Sequence, residues 1–376
     1  MNKLILTIAC LLSFLGQARA QETPINQLYI EPFVVKANGT VNVDVMLNNP
    51  DFEGHSFQFR LYVPDGLRIE EGEDEGETYY LFAVTNRISG KFGNKTWEFD
   101  VQLEPGTDEL GSYYLFKCVD VYNNSTQQYR GIQGTEGSLM TITLKASDQI
   151  STGVLNVAIR KQVISDATGD HGIRPDDYEV NATGQIDVTV SDAGYATFSW
   201  PRTLDFSKTG LKVYRAVVLE ELDKDTEQMT TALIEDGIVA ANEGVLLKGS
   251  AGKYNPTTTD ATSTSANNYN YFTGTADGEV IPTAGQHYYV FARKQNGNTG
   301  FYKVQTGVTI PQYKAYLNLD GDYSRITFDL AEEATGIRDL QNGSTDELYD
   351  LRGVKLNSQK QRKGVFIQNG KKVVIK

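Results

Sequence analysis

Side chains able to attack, ligate or shuttle protons are few in this 376-residue chain. There are three histidines, His55, His171 and His287, and two cysteines, Cys10 and Cys118. Cys10 falls inside an N-terminal apolar run, so the body of the chain keeps one thiol, which excludes an internal disulfide and a cysteine zinc site. The histidines are far apart in sequence. No Gly-x-Ser-x-Gly elbow occurs, and Cys118 sits in the apolar run Tyr113 to Val121, the setting of a small buried thiol rather than a nucleophile. Acids are plentiful, but the run Glu70 to Glu77 reads as a solvated loop, not as two carboxylates held across a substrate. Asp166, Asp170, Asp176 and Asp177 gather in one segment, and Asp320-Gly321-Asp322 forms another. Calcium takes oxygens from such loops, yet neither has the spacing of an EF-hand, so they read as turn-forming aspartates. No cofactor is expected, a structural calcium being the one ion these oxygens would suit.

What remains is recognition. Sugars stack on exposed aromatic rings while neighbouring polar groups orient them. The ring candidates are Tyr62, Tyr79, Tyr80, Tyr122 and Tyr129. In Ser56 to Val63, Phe57, Phe59 and Leu61 share one face, which leaves Gln58, Arg60 and Tyr62 on the other. Glu98, Asp100 and Gln102 of the next alternating run are expected on the same sheet face. Gln58, Arg60, Tyr62, Glu98 and Asp100 are therefore the candidate ligand-binding residues, equally suited to a glycan or a protein module.

The elements that must position them are strands. Thr40 to Leu47, Ser56 to Val63 and Thr96 to Leu103 alternate apolar and polar residues with the period of a half-buried strand. Pro64-Asp65-Gly66 and Glu104-Pro105-Gly106 are expected to turn the chain after two of them. Strands recurring at this spacing imply a sandwich or barrel. A second β unit starts near Ser191, with strands expected at Tyr195 to Trp200, Leu211 to Leu219, Gly244 to Lys248, His287 to Arg293 and Gly300 to Val304. Asn255 to Tyr271 reads as an exposed loop and Gln228 to Glu235 as a short helix. Near the end, Gly364 to Lys376 is a hairpin around Asn369-Gly370, the dipeptide that supplies two positive-φ positions. The fold class is all-β. The expected divisions are 1–20, 25–190, 191–335 and 336–376.

Residues 1 to 20 read as an export signal: Lys3, an apolar run from Leu4 to Gly16, then Ala18-Arg19-Ala20 with small residues at −3 and −1. The run is too short for a permanent membrane span, and no second one follows. Cleavage after Ala20 leaves a chain of net charge −15, against −13 for the whole. Such a balance gives no electrostatic footprint for nucleic acid. Arg352 to Lys376 nevertheless carries eight basic residues and no acid. Lysines on the exposed edge of a small sheet, blocking edge-to-edge pairing, explain that tail.

Thr40 to Leu47, Gly54 to Leu67, Gly137 to Ala146 and Gly153 to Gly169 together resemble a cohesin domain and the related carbohydrate-binding modules. The resemblance implies a nine-stranded jelly roll and, as partner, a dockerin-like protein module or a glycan. Asp192 to Thr197, Val245 to Gly249, Gly300 to Lys303 and Lys314 to Leu317 resemble an uncharacterised β domain of multidomain surface proteins, to which no activity attaches. Thr335 to Arg338, Tyr349 to Gly353 and Lys363 to Lys376 look like a type IX secretion C-terminal sorting domain, which implies passage across an outer membrane and possible surface attachment. The expected function is a non-catalytic, exported surface protein that binds carbohydrate or a protein module. The rival is a structural or adhesive spacer without a pocket.

Overall fold

The computed structural model describes residues 24–330, apart from 93–94, 122–128, 168–171, 224–225, 266–268 and 296, and four short strands between 348 and 375. The expectations for residues 1–20, Tyr122, Asp170, His171 and Thr335 to Arg338 lie outside the described residues. All regular structure described is β. Among the described residues no helix is long and apolar enough to cross a membrane.

The alternating runs become strands because one face of each is buried. Val43, Val45 and Leu47 of Thr40–Leu47 are buried, as are Phe57, Phe59 and Leu61 of Ser56–Tyr62. A five-stranded sheet runs Leu28–Ile30, Thr40–Leu47, Ser138–Ala146, Leu67–Ile69, with Phe82–Val84 also paired to Ser138–Ala146. Facing it, a seven-stranded sheet runs Asp100–Asp108, Gly111–Val119, Ser56–Tyr62, Gly153–Ser165, Tyr178–Gln185, Phe33–Lys36, with Gly172–Ile173 beside Gly153–Ser165. Between them lies one apolar cluster from Leu28 to Ala182. Phe59 stacks on Phe116 with centroids 4.7 Å apart. Burial of this kind stabilises by about 1.5–3 kcal/mol for each large side chain.

Three expectations change here. Glu104-Pro105-Gly106 does not turn the chain but lies inside Asp100–Asp108, paired to Leu115, Tyr114 and Tyr113. The strand tolerates proline because it is the sheet's edge, where one side makes no ladder bonds. The run Thr96 to Leu103 is two strands, Lys95–Glu98 and Asp100–Asp108, broken at Phe99, whose ring enters the core. The acidic run Glu70 to Glu77 is a solvated hairpin, Glu71–Asp74 against Glu77–Tyr80, with Glu75 and Gly76 at φ +50° and +86° supplying the turn.

From Val188 onward a second set of strands forms a nine-stranded sheet, from Tyr195–Phe198 at one end to Phe272–Gly274 at the other. The strands expected at Tyr195, Leu211, Gly244, His287 and Gly300 are all present within a few residues. The expected helix at Gln228 to Glu235 is instead strand Thr226–Leu233, paired antiparallel to Lys212–Asp223 and parallel to Arg325–Asp329. Two ladders override the local helix preference of Gln228, Met229, Ala232 and Leu233. Polar pins join this region to the first. The Tyr313 hydroxyl accepts from Asn38 Nδ2 at 2.8 Å and donates to Asp148 at 3.0 Å, and Arg202 donates to the Gln149 carbonyl at 2.8 Å. In the tail, Gly364–Gln368 pairs with Lys371–Ile375, Gln368 opposite Lys371, as the Asn-Gly signal requires.

Candidate functional site

Parity decides which side chains share the outer face of the seven-stranded sheet. On Ser56–Tyr62 the even residues Gln58, Arg60 and Tyr62 point away from the core. The register sets Lys117 and Gln102 beside Gln58, Leu115 and Glu104 beside Arg60, and Tyr113 and Gly106 beside Tyr62. Asp100 lies on the same face two positions further, opposite Val119 and therefore in line with Ser56. Gln58 and Asp100 are exposed. Glu98 is not part of this face: it is exposed on the separate ribbon of Ser89–Phe92 and Lys95–Glu98, opposite Ser89, because the break at Phe99 detaches it.

Tyr62 also departs from expectation. Its ring is only 4% exposed. Tyr113 packs on it from one neighbouring strand with centroids 5.4 Å apart, and the Arg160 guanidinium stands 5.8 Å above it from the other. Its hydroxyl donates to Asp108 Oδ2 at 2.7 Å. A sugar therefore finds no free ring there.

Asp108 is the centre of the patch, and spacing in the sequence gave no sign of it. It ends the Asp100–Asp108 strand, where its Oδ1 accepts from the Leu110 amide at 3.0 Å, the Asx-type bond of a tight turn. Oδ2 accepts from Tyr62, from Arg60 Nη1 at 2.7 Å and from Lys161 Nζ at 3.4 Å. Lys161 gets there through a bulge, the register slipping between Arg160 and Val163 with Lys161 at φ +51°. The Tyr62 hydrogen bond, seconded by Leu110 and Lys161, holds the Asp108 carboxyl below the usual carboxylate range. Burial, with the Asp108 bond behind it, pushes the Tyr62 phenol up. The Arg60 guanidinium lies over the Tyr113 ring at 4.3 Å. Arg160 donates to Asp177 at 2.9 Å and to Glu179.

At the same end of the sheet a polar cleft of about 470 Å³ opens, lined among others by Pro64, Asp65, Pro105, Thr107, Ser112 and Tyr113. A carboxylate already accepting from three side chains is a poor proton acceptor, so Asp108 is suited to holding charge in place rather than to acid–base work. The array presents fixed cations, carboxylates and one rigid edge of aromatic rings.

The other chemistry-bearing residues stand elsewhere. His55 Nδ1 is 3.1 Å from Asp120 Oδ2, and Asp120 also accepts the Arg130 and Gly131 amides at 2.7 and 2.6 Å, which pins a loop. Cys118, two residues away, is fully buried, and burial pushes its thiol far up. His287 Nδ1 lies 2.9 Å from the Gly321 carbonyl, and Asp322 pairs with Lys303 at 2.7 Å. Tyr79 and Tyr129 are exposed, while Tyr80 packs against Tyr114 at 5.5 Å. Among the described residues, no group of three or more His, Cys, Asp or Glu is placed to hold a metal.

No family model and no curated protein matches the chain. Solved structures similar to it include a cohesin from Clostridium thermocellum in complex with a dockerin, 13% identical, spanning 44% of this chain and 97% of its own, with a TM-score of 0.27. A cohesin module of a Clostridium perfringens glycoside hydrolase is 11% identical over 43% of this chain and 99% of its own, with a TM-score of 0.28. A non-cellulosomal cohesin from Archaeoglobus fulgidus is 17% identical over 43% and 90%, with a TM-score of 0.25. At such low scores, the all-β sandwich stands on its own strand pairing.

Proposed function

We propose that this chain is a non-catalytic, exported surface protein whose first β unit, residues 25–190, binds a dockerin-like protein module through the outer face of the seven-stranded sheet. One observation carries the reading. Asp108 gathers Arg60, Tyr62 and Lys161 from three other positions into a pre-ordered charged array on a broad sheet face. Charged arrays of this sort set orientation and partner choice at protein interfaces. A glycan site wants a ring face open to stack on, and here Tyr62 is covered by Tyr113 and Arg160. Gln58, Asp100, Gln102 and Lys117 extend the surface along the sheet. Export through removal of residues 1–20, a second unit over 191–335 and a sorting role for 336–376 complete the proposal, resting on the motifs quoted for them.

The test sets the mature full chain against two panels in parallel, purified dockerin-type modules and a glycan array. Arg60→Glu with Arg160→Glu serves as the control, and circular dichroism checks its fold. Binding to a module that the double variant loses by at least tenfold supports the reading. Hits on the glycan array alone make the site a sugar site. Silence on both panels leaves the spacer.

A further inference from the structure

Beside the strand Tyr195–Phe198 the second unit leaves a cleft of about 690 Å³. Its opposite wall is Val290 to Arg293, where Ala315–Leu319 stops pairing at Val290 opposite Tyr316. Main-chain groups along the first wall are already spent. The Tyr195 carbonyl accepts from the Ser191 amide at 3.4 Å and from the Ser191 hydroxyl at 2.9 Å, and the Ser199 amide donates to the Tyr313 carbonyl at 3.4 Å. What the cleft offers an occupant is side chains.

Most of that lining is apolar. Tyr195 and Phe291 meet at 5.6 Å and both pack on Phe328, while Val304, Val308 and Ile310 add an aliphatic flank. The volume is within the roughly 300–1,000 Å³ of small-molecule sites. Thr197 supplies a deep polar group: it shares a face of its strand with Tyr195, is 8% exposed, and its hydroxyl bonds to no described residue. A hydroxyl set this deep without a protein partner is one that an occupant can satisfy. At the rim stand three exposed charged residues, Arg293, Lys314 and Asp192. None of their side chains makes a hydrogen bond or ion pair with any described residue. Carried two residues on, the register that sets Val290 opposite Tyr316 brings Lys314 abreast of Ala292, beside Arg293. Asp192 belongs to the turn before Tyr195, on the other wall. The two bases therefore stand together, and the acid stands apart from them.

We infer that this cleft binds a small amphipathic carboxylate. Its aromatic body lies against Tyr195, Phe291 and the aliphatic flank, its carboxylate goes to Arg293 and Lys314, and a hydroxyl at its far end reaches Thr197. An apolar pocket with a few convergent polar groups is the usual form of a small-molecule site, the polar groups fixing orientation. Charge-assisted bonds to two cations select an acid over its neutral or cationic analogues. Asp192 repels the carboxylate from its own wall and so decides which way round the ligand lies.

The probes are para-substituted biphenyls titrated by calorimetry into the mature full chain: hydroxybiphenyl carboxylate, the same acid without its hydroxyl, the matching carboxamide and the matching methylamine. The hydroxy acid is expected to bind saturably and about tenfold tighter than the carboxamide, with the methylamine weaker still. Arg293→Gln with Lys314→Gln, both exposed positions, should erase the acid's advantage, and Asp192→Asn should tighten the acid. Thr197→Val should weaken the hydroxy acid by about threefold and leave the plain acid unchanged, and Thr197→Ser should restore it. Thermal melts check that each variant is folded. Any of five results overturns the inference: no probe binds, the carboxamide or methylamine binds as tightly as the acid, the double variant keeps the acid's advantage, Asp192→Asn weakens the acid, or Thr197→Val treats the two acids alike.

Discussion

Arg87 is 6% exposed and spends every N–H of its guanidinium on the chain around it. Nε donates to the Gln133 carbonyl at 2.8 Å, Nη1 to Leu47 and Gly137 at 2.7 and 2.8 Å, and Nη2 to Asn49 Oδ1 and the Gly134 carbonyl at 2.6 and 3.0 Å. No carboxylate bonds to it, so burial pushes its pKa down, only partly offset by Glu136. It holds the segment from Gln133 to Gly137 onto the end of the Thr40–Leu47 strand. Replacing it with Met keeps the stem and deletes five donors. Each hydrogen bond to a charged group is worth about 1.5–3 kcal/mol, but Gln133 and Gly134 are exposed, so their carbonyls can regain water, whereas Leu47 and Asn49 are buried. The removal of a buried charged partner typically costs about 3–5 kcal/mol, and that is the expected loss for Arg87→Met. For a unit of this size it lowers Tm by roughly 6–20 °C. Arg87→Lys offers at most three donors on a point charge and is expected to lose about half as much. Thermal and urea melts measure both, and hydrogen exchange should show the Asn49 and Leu47 amides, bonded to the Thr135 and Gly137 carbonyls, losing protection first. A loss under about 1 kcal/mol for Arg87→Met, or Lys as good as Arg, would refute the reasoning, since it would mean that water replaces the fork at no cost.

Asp236 accepts from the Ile238, Thr264 and Ser265 amides and from the Ser263, Thr264 and Ser265 hydroxyls, and these bonds outweigh burial and hold its pKa well below the usual range. A depressed folded pKa stabilises above the unfolded value, and that stability is lost as pH falls below about 4. Asp236→Asn should therefore flatten the acid limb of the stability curve there, and an unchanged limb in acid titration would count against the pin. Tyr62→Ala should cost about 2–4 kcal/mol in melts, because the ring is buried; a neutral change would mean that Arg160 and Tyr113 close over the hole. Cys118 should resist a thiol reagent until the protein unfolds, and rapid labelling of the native chain would show its strand to be open. Intact mass of exported protein should match a start at Gln21, and a lipidated form starting at Cys10 would overturn the signal assignment.

Local order alone determined much of this protein. A strand of period two buries one face whatever its partner, so Phe57, Phe59 and Leu61 had to be inside and Gln58, Arg60 and Tyr62 opposite. The Asn-Gly hairpin and the strand at His287–Arg293 were legible for the same reason, since turn chemistry and alternation depend on neighbours in the chain. What faces a side chain across the sheet is set by residues dozens of positions away. Asp108 is 46 residues from Tyr62 and 53 from Lys161, and only the register of four strands and a bulge brings them together. That juxtaposition turned an expected open ring into a covered one. Glu98 left the face because burying Phe99 broke the run, and Thr226–Leu233 became a strand because two ladders were on offer. Pairing over such separations is chosen by the whole core and by the closure of the loops between strands, neither of which any short window of sequence contains.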